Sequence, residues 1–148
     1  MRPRGIRILG LLIAASGFLS LDVRAEEKVS LKAVMIYASN EPGDKDSRLS
    51  AVEPQLRNLF RFERYQQSGY GTSSANLPGS TSILLGQGHK LDIKVSKTEE
   101  GKVRAEVHWT RSDEKLMSTA YVLNRNESTW MGGPSHDKGK LIILLSVL

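Results

Sequence analysis

The chain has 148 residues, a formal net charge of +5 at pH 7 and no cysteine. The length suits one domain with a single hydrophobic core. Without cysteine, the fold contains no disulfide, no thiolate metal site and no cysteine-linked lipid. Basic and acidic residues alternate along the chain, which is not the basic stripe of a nucleic-acid-binding protein.

The first 25 residues have the three parts of a secretory signal peptide. Three arginines precede an uncharged apolar run from Ile8 to Leu21, and Val23-Arg24-Ala25 resembles the exit of a cleaved signal. A run of about 14 residues is shorter than the roughly 20 that cross a bilayer. The sequence therefore predicts cleavage after Ala25, a single β-rich domain over 26–148, and no membrane span after cleavage.

Cleavage of the predicted signal peptide also lowers the net charge of the protein. Residues 1–25 contain four arginines and one aspartate, so the net charge of the mature chain falls to +2. An exported domain that folds without disulfides is more typical of a bacterial periplasm or envelope than of eukaryotic secretion. We therefore expect a periplasmic or secreted bacterial protein that does not bind nucleic acid.

One helix is predicted early in the mature chain, at about residues 48–61. Apolar residues recur there at helical spacing, and Asp46 or Ser47 can cap the start. Pro54 is tolerated only in the first turn of a helix. Either the regular helix begins near Ser50, or it bends at the proline.

The rest of the mature chain is predicted to be strands joined by short turns. Leu91, Ile93 and Val95 alternate with polar residues, as expected for a strand with one buried face. The predicted strands are 28–39, 62–77, 80–85, 89–97, 102–111, 115–124 and 140–148. The fold class is therefore mainly β (α+β), an antiparallel β-sandwich or partly open barrel of about six to seven strands with one early amphipathic helix.

The stretch from Gly132 to Lys140 contains residue types that also occur in catalytic and phosphate-binding loops. Ser135, His136 and Asp137 are consecutive, and consecutive side chains in an extended segment rarely converge as a catalytic triad requires. The glycines and lysines lack the spacing of a P-loop. We interpret the stretch as a loop in which Gly132 and Gly133 take positive φ, followed by a core strand that is apolar on both faces.

Metal and cofactor chemistry is not indicated by the sequence. His89, His108 and His136 are scattered and lack the close spacing common in zinc sites. Carboxylates lie mainly in predicted turns. We expect no cofactor, no metal and no catalytic residue, although a hydrolase with an unrecognised site near His136 remains a third hypothesis.

Aromatic residues give the one surface hypothesis. Rings on a sheet face bind sugars or partner strands, but they also serve as core packing, and Trp109 has the parity of a buried position. The candidate binding surface consists of Tyr65, Tyr70, Trp130 and His136. The polar segment 66–80 adds the character of an exposed sheet edge.

These observations predict an exported, non-enzymatic domain that works by binding. The leading hypothesis is an accessory protein that engages another envelope protein through a sheet edge or through segment 66–80. The alternative is a small-ligand or carbohydrate-binding module that uses surface aromatics. The three hypotheses differ in partner, so structure and binding experiments separate them.

The signal-peptide prediction is testable by the mass of the exported product. When the full chain is produced in a bacterium with a periplasm, the recovered protein should begin at Glu26, because Ala25 is small enough for the cleavage pocket. Intact-mass spectrometry measures this directly. The variant Ala25→Phe should keep its leader, and a full-length wild-type product in the cytoplasm would contradict the prediction.

Overall fold

The computed structural model describes residues 27–148, so the predicted signal peptide lies outside the described range. Within that range the chain forms eight strands and two short helical segments. They are β1 (Glu27–Ser39), a 3-10 helix (Ser47–Leu49), α1 (Glu53–Phe60), β2 (Arg64–Leu77), β3 (Gly79–Gly86), β4 (His89–Lys97), β5 (Val103–Arg111), β6 (Glu114–Leu123), β7 (Ser128–His136) and β8 (Gly139–Val147).

The strands form two four-stranded antiparallel sheets. Sheet A has the order β2-β1-β8-β7, and sheet B has the order β3-β4-β5-β6. Paired strands are neighbours along the chain, except that β1 also pairs with β8. The sheets pack on each other as a sandwich, which confirms the predicted mainly β antiparallel fold.

The main core lies between the sheets. Leu91, Ile93 and Val95 of β4 and Val107 and Trp109 of β5 are buried on the inner face of sheet B, as their alternation predicted. The inner face of sheet A contributes alternate residues of its two central strands. They are Val29, Leu31, Ala33, Met35, Leu141, Ile143, Leu145 and Val147.

A second, smaller core lies on the outer face of sheet A, beneath the helix. Leu56 of α1 and Leu49 of the 3-10 helix pack against Ile36, Ala38 and Ile142. Beneath the helix, β1 and β8 are therefore buried on both faces, which explains the apolar residues on their outer face there. The strand order places both strands inside sheet A, which confirms the predicted core position of the last strand.

The predicted helix at 48–61 is shorter and divided. The regular helix begins at Glu53, so Pro54 lies in the first turn, where its missing N–H costs nothing. It ends at Phe60, and Arg61 takes a left-handed conformation at φ 56°. The apolar stripe is therefore divided between a 3-10 turn and an α-helix of two turns.

Asp46 fastens this helical segment to sheet A. Its carboxylate caps the 3-10 helix by accepting from the Arg48 backbone N–H at 3.0 Å, as predicted, and from the Gln67 N–H of β2 at 2.9 Å. The Arg48 guanidinium donates to the same carboxylate at 2.8 and 2.9 Å. The Arg48 side chain and these backbone donors hold the pKa of Asp46 well below its usual range.

β7 was not predicted, and two expectations about it are wrong. Ser128–His136 is a strand with an irregular register between Gly132 and Ser135, so the turn before β8 contains only Asp137 and Lys138. Gly132 and Gly133 do not have positive φ; Asp137 does, at 48°. The glycine at 133 is required by space instead, because a Cβ there would overlap the indole of Trp109.

Two adjacent glycines therefore provide a matched pair of stability variants. Gly133→Ala should lower the free energy of unfolding by about 1–3 kcal/mol, because the new methyl group meets the Trp109 ring and the carbonyl oxygen of Leu141. Gly132→Ala should change it by less than about 0.5 kcal/mol, because the nearest atoms belong to the flexible Lys140 side chain. Urea denaturation measures both, and equal effects would contradict the packing explanation.

Candidate functional site

Tyr65 does not belong to a binding surface, which corrects one of the four predicted residues. Its side chain is only 3% exposed, in the small core beneath α1. The hydroxyl donates to the Leu56 carbonyl and accepts from the Phe62 N–H, both at 2.9 Å. Tyr65 is therefore a structural link between β2 and the end of the helix, and burial raises its pKa.

Tyr70 and Trp130 lie in one row on the outer face of sheet A. Strand pairing places Tyr70 opposite Val34, Val34 opposite Leu144, and Leu144 opposite Trp130. Tyr70 is 54% exposed, and the other three side chains are half-buried. The rings stand on opposite edges of the sheet, about 14 Å apart at the usual strand spacing.

The Trp130 ring is not a free platform. It packs edge-on against Phe60 of α1, with ring centroids 6.3 Å apart and an interplanar angle of 72°. Trp130 is half-buried and packs against the small core, so only part of the ring is open to a ligand. The row from Tyr70 to Trp130 therefore lies at the edge of the small core, on the outer face of sheet A.

His136 lies at a different site, at one end of the sandwich. Its imidazole packs edge-on against Tyr37, with centroids 5.8 Å apart, and both line a cavity of about 400 Å³. Tyr37 belongs to the inner face of sheet A, whereas Tyr70 and Trp130 belong to the outer face. The four predicted residues therefore do not form one surface.

A hydrolytic triad at 135–137 is not supported by this geometry. Ser135 and His136 are consecutive strand residues, so their side chains leave opposite faces of the sheet. His136 Nε2 lies 3.5 Å from a carboxylate oxygen of the exposed Asp137, and no hydrogen bond of residues 27–148 joins it to the Ser135 hydroxyl. A nucleophile in contact with the imidazole is missing from this arrangement.

Two further searches covered the same part of the chain. Among residues 27–148, no three histidine, aspartate or glutamate side chains are grouped so that they would hold a metal ion. No helix in this range combines the length and the apolar character needed to cross a membrane.

One buried polar pair was not foreseen from the sequence. His89 is 2% exposed, and its Nδ1 accepts a hydrogen bond of 3.0 Å from the indole N–H of Trp109. Burial lowers the pKa of His89, with further contributions from Arg111 and His136. The pairing of β4 with β5 brings His89 over the edge of the core.

The sheets have four edge strands, and three of them are protected. β2 and β3 lie against each other: Ser73 and Thr81 share a hydroxyl hydrogen bond, and a Cβ at Gly69 would overlap the carbonyl oxygen of Leu85. The sequence predicts the character of an exposed sheet edge for segment 66–80. In the structure β2 is an edge strand of sheet A, but β3 packs against it and covers that edge. β7 carries Pro134, which cannot donate to a further strand.

β6 is the remaining edge. Within residues 27–148 it pairs with β5 on one side and has no hydrogen-bonded strand on the other. Residues 116–123 contain neither a charge nor a proline. Natural edge strands usually carry lysine, proline or a covering element that prevents pairing with another chain.

No protein-family model matches the sequence, and comparison with curated proteins and with solved structures found no match. The function therefore has to be inferred from the geometry of the chain's own residues.

The buried histidine predicts a specific loss of stability in mild acid. The folded state lowers the pKa of His89, so the unfolded state binds the proton more readily, and stability falls as the pH drops below about 6.5. His89→Gln should lose less stability between pH 7.5 and 5.5 than the wild type, because glutamine does not titrate.

Urea midpoints followed by tryptophan fluorescence provide the measurement. His108 is exposed on the outer face of sheet B, so His108→Gln is the matched control and should keep the wild-type pH dependence. If His89→Gln lost as much stability as the wild type over this range, His89 would not be the titrating group.

Proposed function

We propose that this protein is an exported bacterial binding protein that engages another envelope protein through the free edge of β6. The observation that carries the proposal is the contrast among the four edge strands of residues 27–148. β2 and β3 cover each other and β7 contains Pro134, whereas β6 contains no proline and packs against β7 less extensively than β2 packs against β3. An unpaired edge presents backbone N–H and C=O groups that an extended segment satisfies by strand addition.

The side chains of β6 define the chemistry of the partner. On the inner side, Met117 and Tyr121 pack partly against the main core. On the outer side, Ser118, Ala120 and Val122 are exposed, and Val122 is 48% exposed. A complementary strand is uncharged over its central residues, with an apolar side chain on the core side and small or β-branched side chains outside.

Charged residues at the two ends of β6 limit the register of a partner strand. Glu114 and Lys115 precede the uncharged run, and Arg125 follows it. A partner strand with charged residues in its centre would place them beside an apolar edge, at the cost of their hydration. A partner strand therefore fits best when its uncharged central segment is about as long as the uncharged run of β6. This supports a specific partner.

The signal peptide predicted over 1–25 supports the cellular part of the proposal. An exported domain meets envelope proteins, and the mature net charge of +2 provides no strong electrostatic field toward nucleic acid. The absence of a grouped nucleophile and base at His136 favours binding over hydrolysis. A carbohydrate-binding function on the Tyr70–Trp130 row is less favoured, because Trp130 is half-buried against the small core and Tyr70 stands three strands away.

Site-specific photo-crosslinking in the native host tests the proposal. A benzoylphenylalanine at Val122 should give one discrete adduct with another envelope protein, and Ala120→Lys in the same chain should abolish it, because lysine on an edge strand blocks pairing. The matched control is the same photo-crosslinker at Leu84, an exposed apolar residue of β3 on the same sheet.

Three outcomes would contradict strand addition to another protein at β6. These are no adduct at position 122, equal adducts at positions 122 and 84, and an adduct whose mass is that of two copies of this chain. Circular dichroism should show that Ala120→Lys keeps the wild-type fold, because Ala120 is exposed.

A further inference from the structure

A second site lies at the end of the sandwich that contains His136. The cavity has a volume of about 400 Å³, toward the lower end of the range for small-molecule sites. Its wall combines the β7–β8 turn, the β3–β4 turn, the start of β2 and the end of β1. The inference rests on Tyr37, Gln66, Gln87, His136 and Leu141, and on the charges of Arg48 and Asp137. No residue of β6 lines this cavity, so the site is separate from the proposed edge.

Two glutamine side chains, Gln66 and Gln87, offer amides to the cavity. Gln66 pairs with Tyr37 across β1 and β2 and so shares its side of the sheet, and Gln87 lies in the β3–β4 turn. No side-chain hydrogen bond within residues 27–148 involves either amide, and neither is a buried atom without a partner. Each amide offers two donors and one acceptor oxygen, a combination that pairs with neighbouring hydroxyl groups.

An apolar surface completes the wall. Tyr37 presents its ring to the cavity, and its orientation is fixed by the edge-on contact with His136. Leu141 is buried beside it on the inner face of sheet A. A ligand that satisfies amides on one side and an aromatic ring on the other has both polar and C–H surfaces.

One arginine and one aspartate line the cavity. The Arg48 guanidinium is bound to Asp46 at 2.8 Å, and the Asp137 side chain is exposed. The opposite charges of Arg48 and Asp137 offset each other, so the lining does not select an anion or a cation. This favours a neutral ligand over a phosphate, a carboxylate or an amine.

From these observations we propose that the cavity binds a neutral mono- or disaccharide. A sugar ring carries hydroxyl groups for the two amides and C–H groups for the apolar surface of Tyr37 and Leu141, and it carries no charge. This inference is independent of the proposed function, because none of its residues belongs to β6. Loss of saccharide binding would leave the strand-addition proposal unaffected, and the reverse also holds.

Glycan-array binding followed by isothermal titration calorimetry tests the inference. The probes are uncharged mono- and disaccharides, including glucose, galactose, N-acetylglucosamine and cellobiose, together with glucuronate and glucosamine as charged counterparts. The mature protein should bind at least one uncharged sugar more tightly than its charged counterparts.

The double variant Gln66→Leu/Gln87→Leu removes two amides with little change in volume, so affinity for that sugar should fall at least tenfold. Gln55→Leu is the matched control, because Gln55 is exposed on α1 and does not line the cavity. Val122→Lys should also leave the affinity unchanged. Equal melting temperatures of the double variant and the wild type show that the loss is not caused by unfolding.

The inference is overturned by failure of every uncharged sugar to bind, by tighter binding of a charged counterpart, or by a double variant that is folded and binds as the wild type does.

Discussion

The structure depends on the two central strands of sheet A, β1 and β8, which are apolar along the inner face and also on the outer face beneath the helical segment. One face of this pair meets sheet B, and the other meets α1 and the 3-10 helix. At about 25 cal/mol for each Å² of apolar area removed from water, leaving either face open would cost much of the free energy of folding. The chain must therefore provide two covers, and sheet B and the short helical segment fill these two roles.

Sheet B and the helical segment differ in size, and this difference determines which side chains of sheet A stay exposed. Sheet B covers the inner face with four strands, whereas α1 has eight residues and spans about 12 Å. Strands of nine to fourteen residues in sheet A are longer than this helix. In the row from Tyr70 to Trp130, Trp130 still contacts Phe60 of the helix, whereas Tyr70 lies beyond its reach and is exposed. Asp46 holds the helical segment against sheet A.

Much of the fold could be predicted, because the alternation of apolar and polar residues along a strand shows which of its faces is buried. In β4 and β5 each apolar residue at period two is buried, and the double-faced sequences of β1 and β8 correctly indicated central strands. β7 was missed because Gly132-Gly133-Pro134 is typical of a loop. The reason for Gly133 is the Trp109 ring on another strand, which no local pattern shows.

The candidate sites were less predictable, because they depend on contacts between distant segments. Tyr65 was taken for a surface residue, and only the position of the helix above it shows that it is buried. Part of the cavity could be predicted from the sequence. His136 is one of the candidate binding residues, and Gln66 lies in the polar segment 66–80. Gln87 joins them only because the β3–β4 turn reaches the same end of the sandwich. The free edge of β6 likewise follows from strand order, which a single sequence does not specify.

The pairing of β1 with β8 has a consequence for the order of assembly. Leu31 lies opposite Val147, whereas every other strand pair joins strands that follow one another along the chain. Hairpins such as β3–β4 and β4–β5 close short loops, whereas the β1–β8 pairing brings together segments a hundred or more residues apart, so we expect it to form later. Until β8 pairs with it, β1 has an open edge, and its apolar side chains lack the neighbours that β8 supplies.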